Sequence, residues 1–261
     1  NRVVDNAQDV SLVTGLGFSN TGGVLLNAVS GSDYQFVGNQ IEDASSPYAM
    51  YLTGTGTPKR FTLNSNQVVG HVLIGGLYDS IVVGNTIKGK VAIGSVDGLQ
   101  FSNNDIDLDG DTSSLAISLY ASSVYRNVAL IGNTIVGGAY GLNVATSATE
   151  LTNVSFDINQ LRNQTSRGIS MTNTAGTLQG VSANGNKVST GAASLTNFNG
   201  IVCSMAKVSL IDNEITDTTG VANTKVAINY TAGSGAGAGG VIKDNIIRGS
   251  WSNAIALIAN A

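Results

Sequence analysis

Between residues 103 and 111 the chain reads NNDIDLDGD, which sets Asp105, Asp107, Asp109 and Asp111 at alternate positions. Carboxylates at alternate positions of an extended strand share one face about 7 Å apart, within the roughly 5–10 Å between the two carboxyl groups of a glycosidase. Crowding of like charges raises at least one of their pKa values, as a general acid needs. Asp105, Asp107 and Asp109 are therefore the candidate catalytic residues for glycoside hydrolysis. Two other readings of the same residues stay open. D-x-D-x-D-G matches the start of a calcium loop, but Ala116 stands at the twelfth position, where an EF-hand needs a bidentate Glu, so a cation site would be of another kind. The third reading is a solvated acidic face, with Ile106 and Leu108 turned inward. Glu42 with Asp43, and Glu214 with Asp217, are weaker pairs of the same sort.

Other reactive side chains are few. His71 is the only histidine, and no G-x-S-x-G elbow accompanies it, so it reads as a surface residue and not as part of a triad. Cys203, the single cysteine, reads as a small core hydrophobe and allows no intrachain disulfide. Tyr48, Tyr51, Tyr120, Tyr140 and Trp251 are amphipathic rings of the kind that stack on sugars. No cofactor and no metal are expected.

The elements that must position these residues follow from a repeat. Asn39, Asn66, Asn85, Asn104, Asn133, Asn159, Asn186, Asn213 and Asn245 each sit between apolar pairs, as in FVGNQI, VVGNTI, LIGNTI and LIDNEI. Their separations vary while the local pattern persists, as expected of one structural unit with loop insertions of different size. Three segments recur in each unit. A small residue followed by alternating apolar residues comes first (YGLNVAT, RGISMTN, NGIVCSM), then a short strand such as VALI or VSLI, then TIV or EIT after the asparagine. Period-two alternation with β-branched residues predicts strands. Strands this short, joined by a turn of about two residues, pair with their equivalents one repeat later and form parallel sheets along a stack.

This is an all-β right-handed parallel β-helix of about ten coils, a rod of roughly 48 Å, and residues 1–261 are one domain. The asparagine is expected at the bend between the second and third strands, in a left-handed backbone conformation, with its amide hydrogen-bonded to those above and below. Inward columns are expected to run Leu142, Ile169, Ile201, Val226, Ile255 and Val144, Met171, Cys203, Ile228, Leu257. Outward first-strand positions are Asn27, Tyr51, Thr53, Ser118, Asn143, Ser170, Thr172, Ser204 and Asn229; those of the third strand are Glu42, Lys88, Asp105, Asp107, Arg162, Lys187, Glu214 and Arg248. Long loops follow the first and third strands, leaving a channel between two corners.

Composition narrows the partners. Charged residues are only 11% of the chain, with 33 glycines and 2 prolines, which suits neither a helical bundle nor a disordered tail. A net charge of -4 gives no basic footprint for nucleic acid. No apolar run approaches the ~20 residues of a membrane helix, so no membrane insertion is expected. The first residue, Asn1, falls in mid-pattern without initiator Met or signal peptide, so the chain reads as a mature or excised piece, and both end coils are expected to need a cover.

The G-I-x-Φ strand and the Φ-x-x-N-x-Φ turn, over essentially the whole chain, resemble the pectin-lyase-like superfamily of right-handed β-helices, which includes pectate lyases, polygalacturonases, alginate epimerases and bacteriophage tailspikes. The resemblance implies a groove along the outer strand faces for a linear polysaccharide. The calcium-binding aspartates of pectate lyases find no counterpart among the outward first-strand positions, and the D-P-H triplet of the epimerases is absent. Low charge, many Ser, Thr, Asn and Gly, and irregular coil lengths look most like a tailspike. That implies an extracellular homotrimer, on a virion tail or secreted, that binds and depolymerises a bacterial capsule or O-antigen. Tyr51, Tyr120, Asn143, Arg162 and Glu214 are the candidate substrate-binding residues. A secreted polysaccharide lyase or epimerase and a non-catalytic adhesive rod are the alternatives.

Overall fold

The computed structural model describes residues 2–4, 22–27, 33–42, 48–53, 60–108, 110–119, 123–144, 148–172, 177–190, 197–220, 224–231 and 239–258. These residues form three sheets, every strand pair being parallel to its equivalent one coil away. Strands of the first segment make a ten-stranded sheet from Gly22–Asn27 to Asn253–Ile258. The second segment makes nine strands, Asp33–Val37 to Val241–Lys243, and the third makes ten of three residues each, Arg2–Val4 to Ile246–Arg248. The chain is a right-handed parallel β-helix.

The asparagine ladder is complete through the described coils. Asn66 Nδ2 donates to Asn85 Oδ1 at 2.8 Å, Asn85 to Asn104 at 2.9 Å, Asn104 to Asn133 at 3.0 Å and Asn159 to Asn186 at 3.1 Å. Each acceptor oxygen also takes the backbone N–H of the lower asparagine, as from Asn104 to Asn133 at 3.0 Å. The second amide proton goes to a carbonyl of the preceding coil's second strand, as from Asn133 to Phe101 O at 3.1 Å. Every polar atom of these buried amides thus has a partner, so low-dielectric burial strengthens the ladder where it would penalise an orphan.

The left-handed residue is not the asparagine but the one before it. Gly38, Ser65, Gly84, Asn103, Gly132, Ile158, Gly185, Asp212 and Asp244 all have φ between 53° and 68°. Reversing the chain at one residue frees the next to point its amide inward along the stack, so the two jobs fall on neighbours. A second such column lies five residues earlier: Asp79, Gly98, Asn127, Asn153, Gly180 and Lys207. It bends the second sheet along its length, so each of these coils has four straight segments and not three. Asn127 and Asn153 tie this bend together on the outside, Asn127 Nδ2 donating to Asp97 at 2.9 Å and Asn153 Nδ2 to Asn127 Oδ1 at 3.1 Å.

Inside, the first-sheet column runs Leu142, Ile169, Ile201, Ile228, Ile255, and its neighbour runs Val144, Met171, Cys203, Tyr230, Leu257. The expected places of Val226 and Ile228 were therefore two residues early. A two-residue slip keeps every side chain on its face, so alternation alone cannot detect it. In the observed register Tyr230 is buried, with its hydroxyl donating to Met205 O at 3.1 Å. The outer column of this sheet is Tyr51, Leu73, Ala92, Ser118, Asn143, Ser170, Val202, Asn229 and Ala256. Thr172 and Ser204 fall beyond their strands, and the side chain of Asn27 lies outside the described residues.

The small residue that opens each first strand has a steric cause. A Cβ on Gly141 would meet Leu161 Cδ2 at 2.4 Å, one on Gly168 would meet Val188 Cγ1 at 2.4 Å, and one on Gly200 would meet Ile215 Cγ2 at 2.5 Å. At this corner the first strand passes directly over the core residue of the third. Cys203 is fully buried, and burial pushes its thiol up to about 11, as befits a core residue.

At the C-terminal coil the inward columns come to the surface, with Ile255 45% and Leu257 70% exposed. No helix of the structure is long and apolar enough to cross a membrane.

Candidate functional site

Coil length shapes the surface. The two shortest coils turn from third to first strand through only Gly70–His71 and Gly89–Lys90, whereas the next coil spends residues 108–114 on the same corner. Two tight corners beside a long one leave a step. The step is an open cleft of about 560 Å³ over the first sheet, lined by Tyr48, His71, Lys90, Val91, Ala92, Ser113, Ser114, Leu115 and Ser118.

The floor is preorganised. Gly89 (φ 151°) packs so closely on the previous coil that a Cβ would stand 2.4 Å from Gly70 O and 2.9 Å from His71 Nδ1. The Lys90 backbone N–H donates to His71 Nδ1 at 3.1 Å, so the neutral ring carries its proton on Nε2. Burial first, then the Lys90 ammonium, lower the His71 pKa, and the Asp111 carboxylate acts the other way. His71 is thus a half-buried, neutral hydrogen-bond donor in a cleft and not an ordinary surface histidine. Tyr48 meets Tyr51 edge to face at 5.7 Å between ring centroids, which extends the cleft along the sheet. Beyond it, Asn143 Nδ2 reaches Ser118 Oγ at 3.5 Å.

The wall is the turn that carries the end of the aspartate cluster. Asp111 Oδ1 accepts the Ser113 N–H at 2.8 Å, the Ser113 hydroxyl at 2.9 Å and the Ser114 N–H at 3.0 Å. The serine donors hold its carboxyl well below the usual carboxylate range, led by Ser114 and outweighing the opposing effect of partial burial. That is opposite to what a general acid needs, so Asp111 builds the wall. Asp105 and Asp107 face outward from the third sheet around buried Ile106, as alternation predicts. Asp105 lies in register with Thr86 and Thr134, and Asp107 with Lys88 and Val136. Asp107 does not line the cleft, but its backbone carbonyl takes the N–H of Gly89, the residue before Lys90, at 3.0 Å. Asp109 and Tyr120 lie outside the described residues.

The candidate residues divide between two faces. Tyr51 and Asn143 share the first-sheet face with the cleft, whereas Arg162 and Glu214 lie on the third sheet, where Glu214 pairs with Arg248 at 2.5 Å. Glu214 and Asp217 do not form a carboxylate pair: Asp217 turns inward and meets Lys225 Nζ at 3.1 Å, both side chains fully buried. Among the described residues no three His, Cys, Asp or Glu side chains converge. Sequence reasoning missed the roles of His71, Lys90 and Ser114. The signal was available in the consecutive 19-residue spacings at Asn66, Asn85 and Asn104, which leave no room for a loop above His71 and Lys90.

A second concavity of about 450 Å³ follows the bend of the second sheet, lined by Asp79, Ile81, Gln100, Asn127, Ala129 and Ile131. It is shallower in polar groups and carries no histidine or lysine.

Fold and cleft together define a right-handed parallel β-helix with an open, hydroxyl- and tyrosine-lined depression on its strand faces. Neither known protein-family models, curated proteins nor solved structures give a match to this chain.

Proposed function

We propose that the chain is a tailspike-like β-helix that binds a bacterial surface polysaccharide, a capsule or O-antigen, across the cleft, and hydrolyses it with Asp107 and Asp105 on the adjoining third sheet. The observation that carries the reading is the cleft itself. It is an open depression, and its lining of a tyrosine ring, hydroxyls and an imidazole suits a sugar better than an apolar ligand. Tyr51 and Asn143 continue the binding surface along the first sheet. In this reading the protein is extracellular and trimeric, and Arg162 and Glu214 contribute only where the glycan continues over the corner onto the third sheet.

A lyase or epimerase is the second reading, favoured by one observation. Tyr48, His71 and Lys90 put a phenol, an imidazole and an ammonium in one cleft, groups that could take the proton from the carbon next to a carboxylate and stabilise the enolate charge left behind.

Incubation with a panel of bacterial capsular and O-antigen polysaccharides separates the readings. Shorter fragments without new absorbance near 235 nm (about the range of an unsaturated uronate), lost in Asp107→Asn, support hydrolysis at Asp107. Absorbance that rises with cleavage and is lost in His71→Ala moves the activity to the cleft as a lyase. Binding without cleavage leaves a receptor-binding rod, and absence of any binding ends the polysaccharide reading. Sedimentation of the same preparation tests the trimer.

A further inference from the structure

We infer that the cleft takes one anionic substituent of its glycan, a carboxylate, sulfate or phosphate, between the Lys90 ammonium and the His71 Nε2–H; this rests on the polysaccharide reading and narrows it to acidic sugars.

Three observations lead there. First, Lys90 lines a half-enclosed cavity, yet among the described residues no carboxylate forms an ion pair with it. A cation in a concave, partly desolvated site is electrostatically incomplete and favours an anion. Second, His71 has its Nδ1 occupied by the Lys90 N–H, which leaves Nε2–H as the donor for a ligand. Backbone and side chain of one residue thus orient the imidazole and supply the charge. Third, the acid that acts on His71 does not fill the vacant role. Asp111 Oδ1 is turned into its own turn by Ser113 and Ser114, and none of the residues lining the cleft is a carboxylate.

The site discriminates by charge balance. A neutral sugar leaves Lys90 uncompensated while displacing its water, whereas an oxyanion offers two acceptors, one for the ammonium and one for Nε2–H, with the Ser114 and Ser118 hydroxyls at the cleft edge. Of the groups that face His71, Lys90 opposes its protonation and Asp111 favours it, and Tyr48 completes the lining. A bound anion adds to the side of Asp111, so it must raise the His71 pKa.

Because His71 is the only histidine in the chain, its ring-proton resonance reports the site without assignment of the rest. The probes are acidic and neutral polysaccharide fragments from the panel, and inorganic phosphate. The expected result is that acidic fragments move the His71 resonance and raise the midpoint of its pH titration. Lys90→Gln should weaken their binding by about tenfold or more, the scale of one charge-assisted hydrogen bond, while Lys187→Gln on the third sheet leaves it unchanged. Neutral fragments binding as tightly as acidic ones, or an undiminished affinity in a folded Lys90→Gln, would overturn the inference and leave the polysaccharide reading standing. Phosphate binding as tightly as the acidic fragments would equally overturn it, since the cleft would then recognise a free anion. If no fragment binds at all, the polysaccharide reading fails and this inference with it.

Discussion

Asn133 Oδ1 accepts both the backbone N–H and the side-chain amide of Asn104, each at 3.0 Å, in a part of the core that solvent does not reach. Removing that one oxygen leaves the Asn104 N–H without its acceptor, and removing the amide also strips Phe101 O of its donor. Asn133→Ala should therefore cost about 3 kcal/mol or more, well beyond one ordinary hydrogen bond. Asn133→Asp should be no milder at neutral pH, because its carboxylate would face Asn159 Oδ1 at the present 3.0 Å separation. Urea unfolding of both variants measures this, and a loss under 1 kcal/mol would mean that water replaces the ladder.

Ile158 occupies the left-handed corner that Gly, Asn, Asp or Ser fills in every other described coil, with φ 60° and 64% of its surface exposed. A β-branched side chain there costs on the order of 1–2 kcal/mol and gains little from burial. Ile158→Asn should raise stability by about 1 kcal/mol, seen as a higher Tm. An unchanged or lower Tm would show that the side chain makes a compensating contact.

Gly168 has no room for the alanine that stands at the equivalent place in the coils of Ala116 and Ala227. Gly168→Ala places a methyl 2.4 Å from Val188 Cγ1 and 2.6 Å from Gly200 O, one of them backbone, and should destabilise by roughly 1–3 kcal/mol. Gly239→Ala, with no atom within 4 Å of the new carbon, is the neutral comparison. Equal Tm values for the two would contradict the close approach of the first and third strands.

Asp217 and Lys225 form a buried pair, with the Thr190 and Thr219 hydroxyls also donating to Asp217 Oδ1, each at 2.7 Å. Burial pushes the Asp217 carboxyl up, but the hydroxyl donors of Thr219 and Thr190, the Thr219 N–H and Lys225 outweigh it and bring it down to about 2. A folded-state pKa below the unfolded value of 3.8 means that the contribution is full above about pH 4 and fades as pH falls towards 2. Lys225→Met should cost about 3–5 kcal/mol, and Lys225→Met with Asp217→Leu less than the single change, since no uncompensated charge is left. Thermal melts of the three proteins between pH 2 and 7 check both the sign and the coupling.

The repeat was legible because each of its parts answers to one short-range rule. Asparagines between apolar pairs gave the ladder, and strand alternation gave the faces of Asp105, Asp107, Arg162 and Glu214. Where position depends on contact between coils, local pattern was silent. Ile201 faces Ile228 and not Val226, with Tyr230 in the core bonded to Met205 O, a placement that no alternation within NGIVCSM or KVAINYT contains. The bend at Asp79, Gly98, Asn127, Asn153, Gly180 and Lys207 was readable in principle: a Gly, Asn or Asp stands at five of these six positions, each five residues before a left-handed corner. The cleft depends on the difference between neighbouring coil lengths, which no single repeat displays, so the pattern of Asp105–Asp111 carries no sign of His71 and Lys90.

In the proposed reading the glycan lies mainly over the first-sheet cleft, reaching the third sheet only where Asp105 and Asp107 adjoin it. The most direct measurement is the affinity of a panel-selected polysaccharide for Tyr48→Ala and for Arg162→Ala, with folding of each confirmed by its melt. Loss of about tenfold or more in Tyr48→Ala, with little change in Arg162→Ala, is the predicted result. The reverse order would move the binding surface to the third sheet and contradict the account.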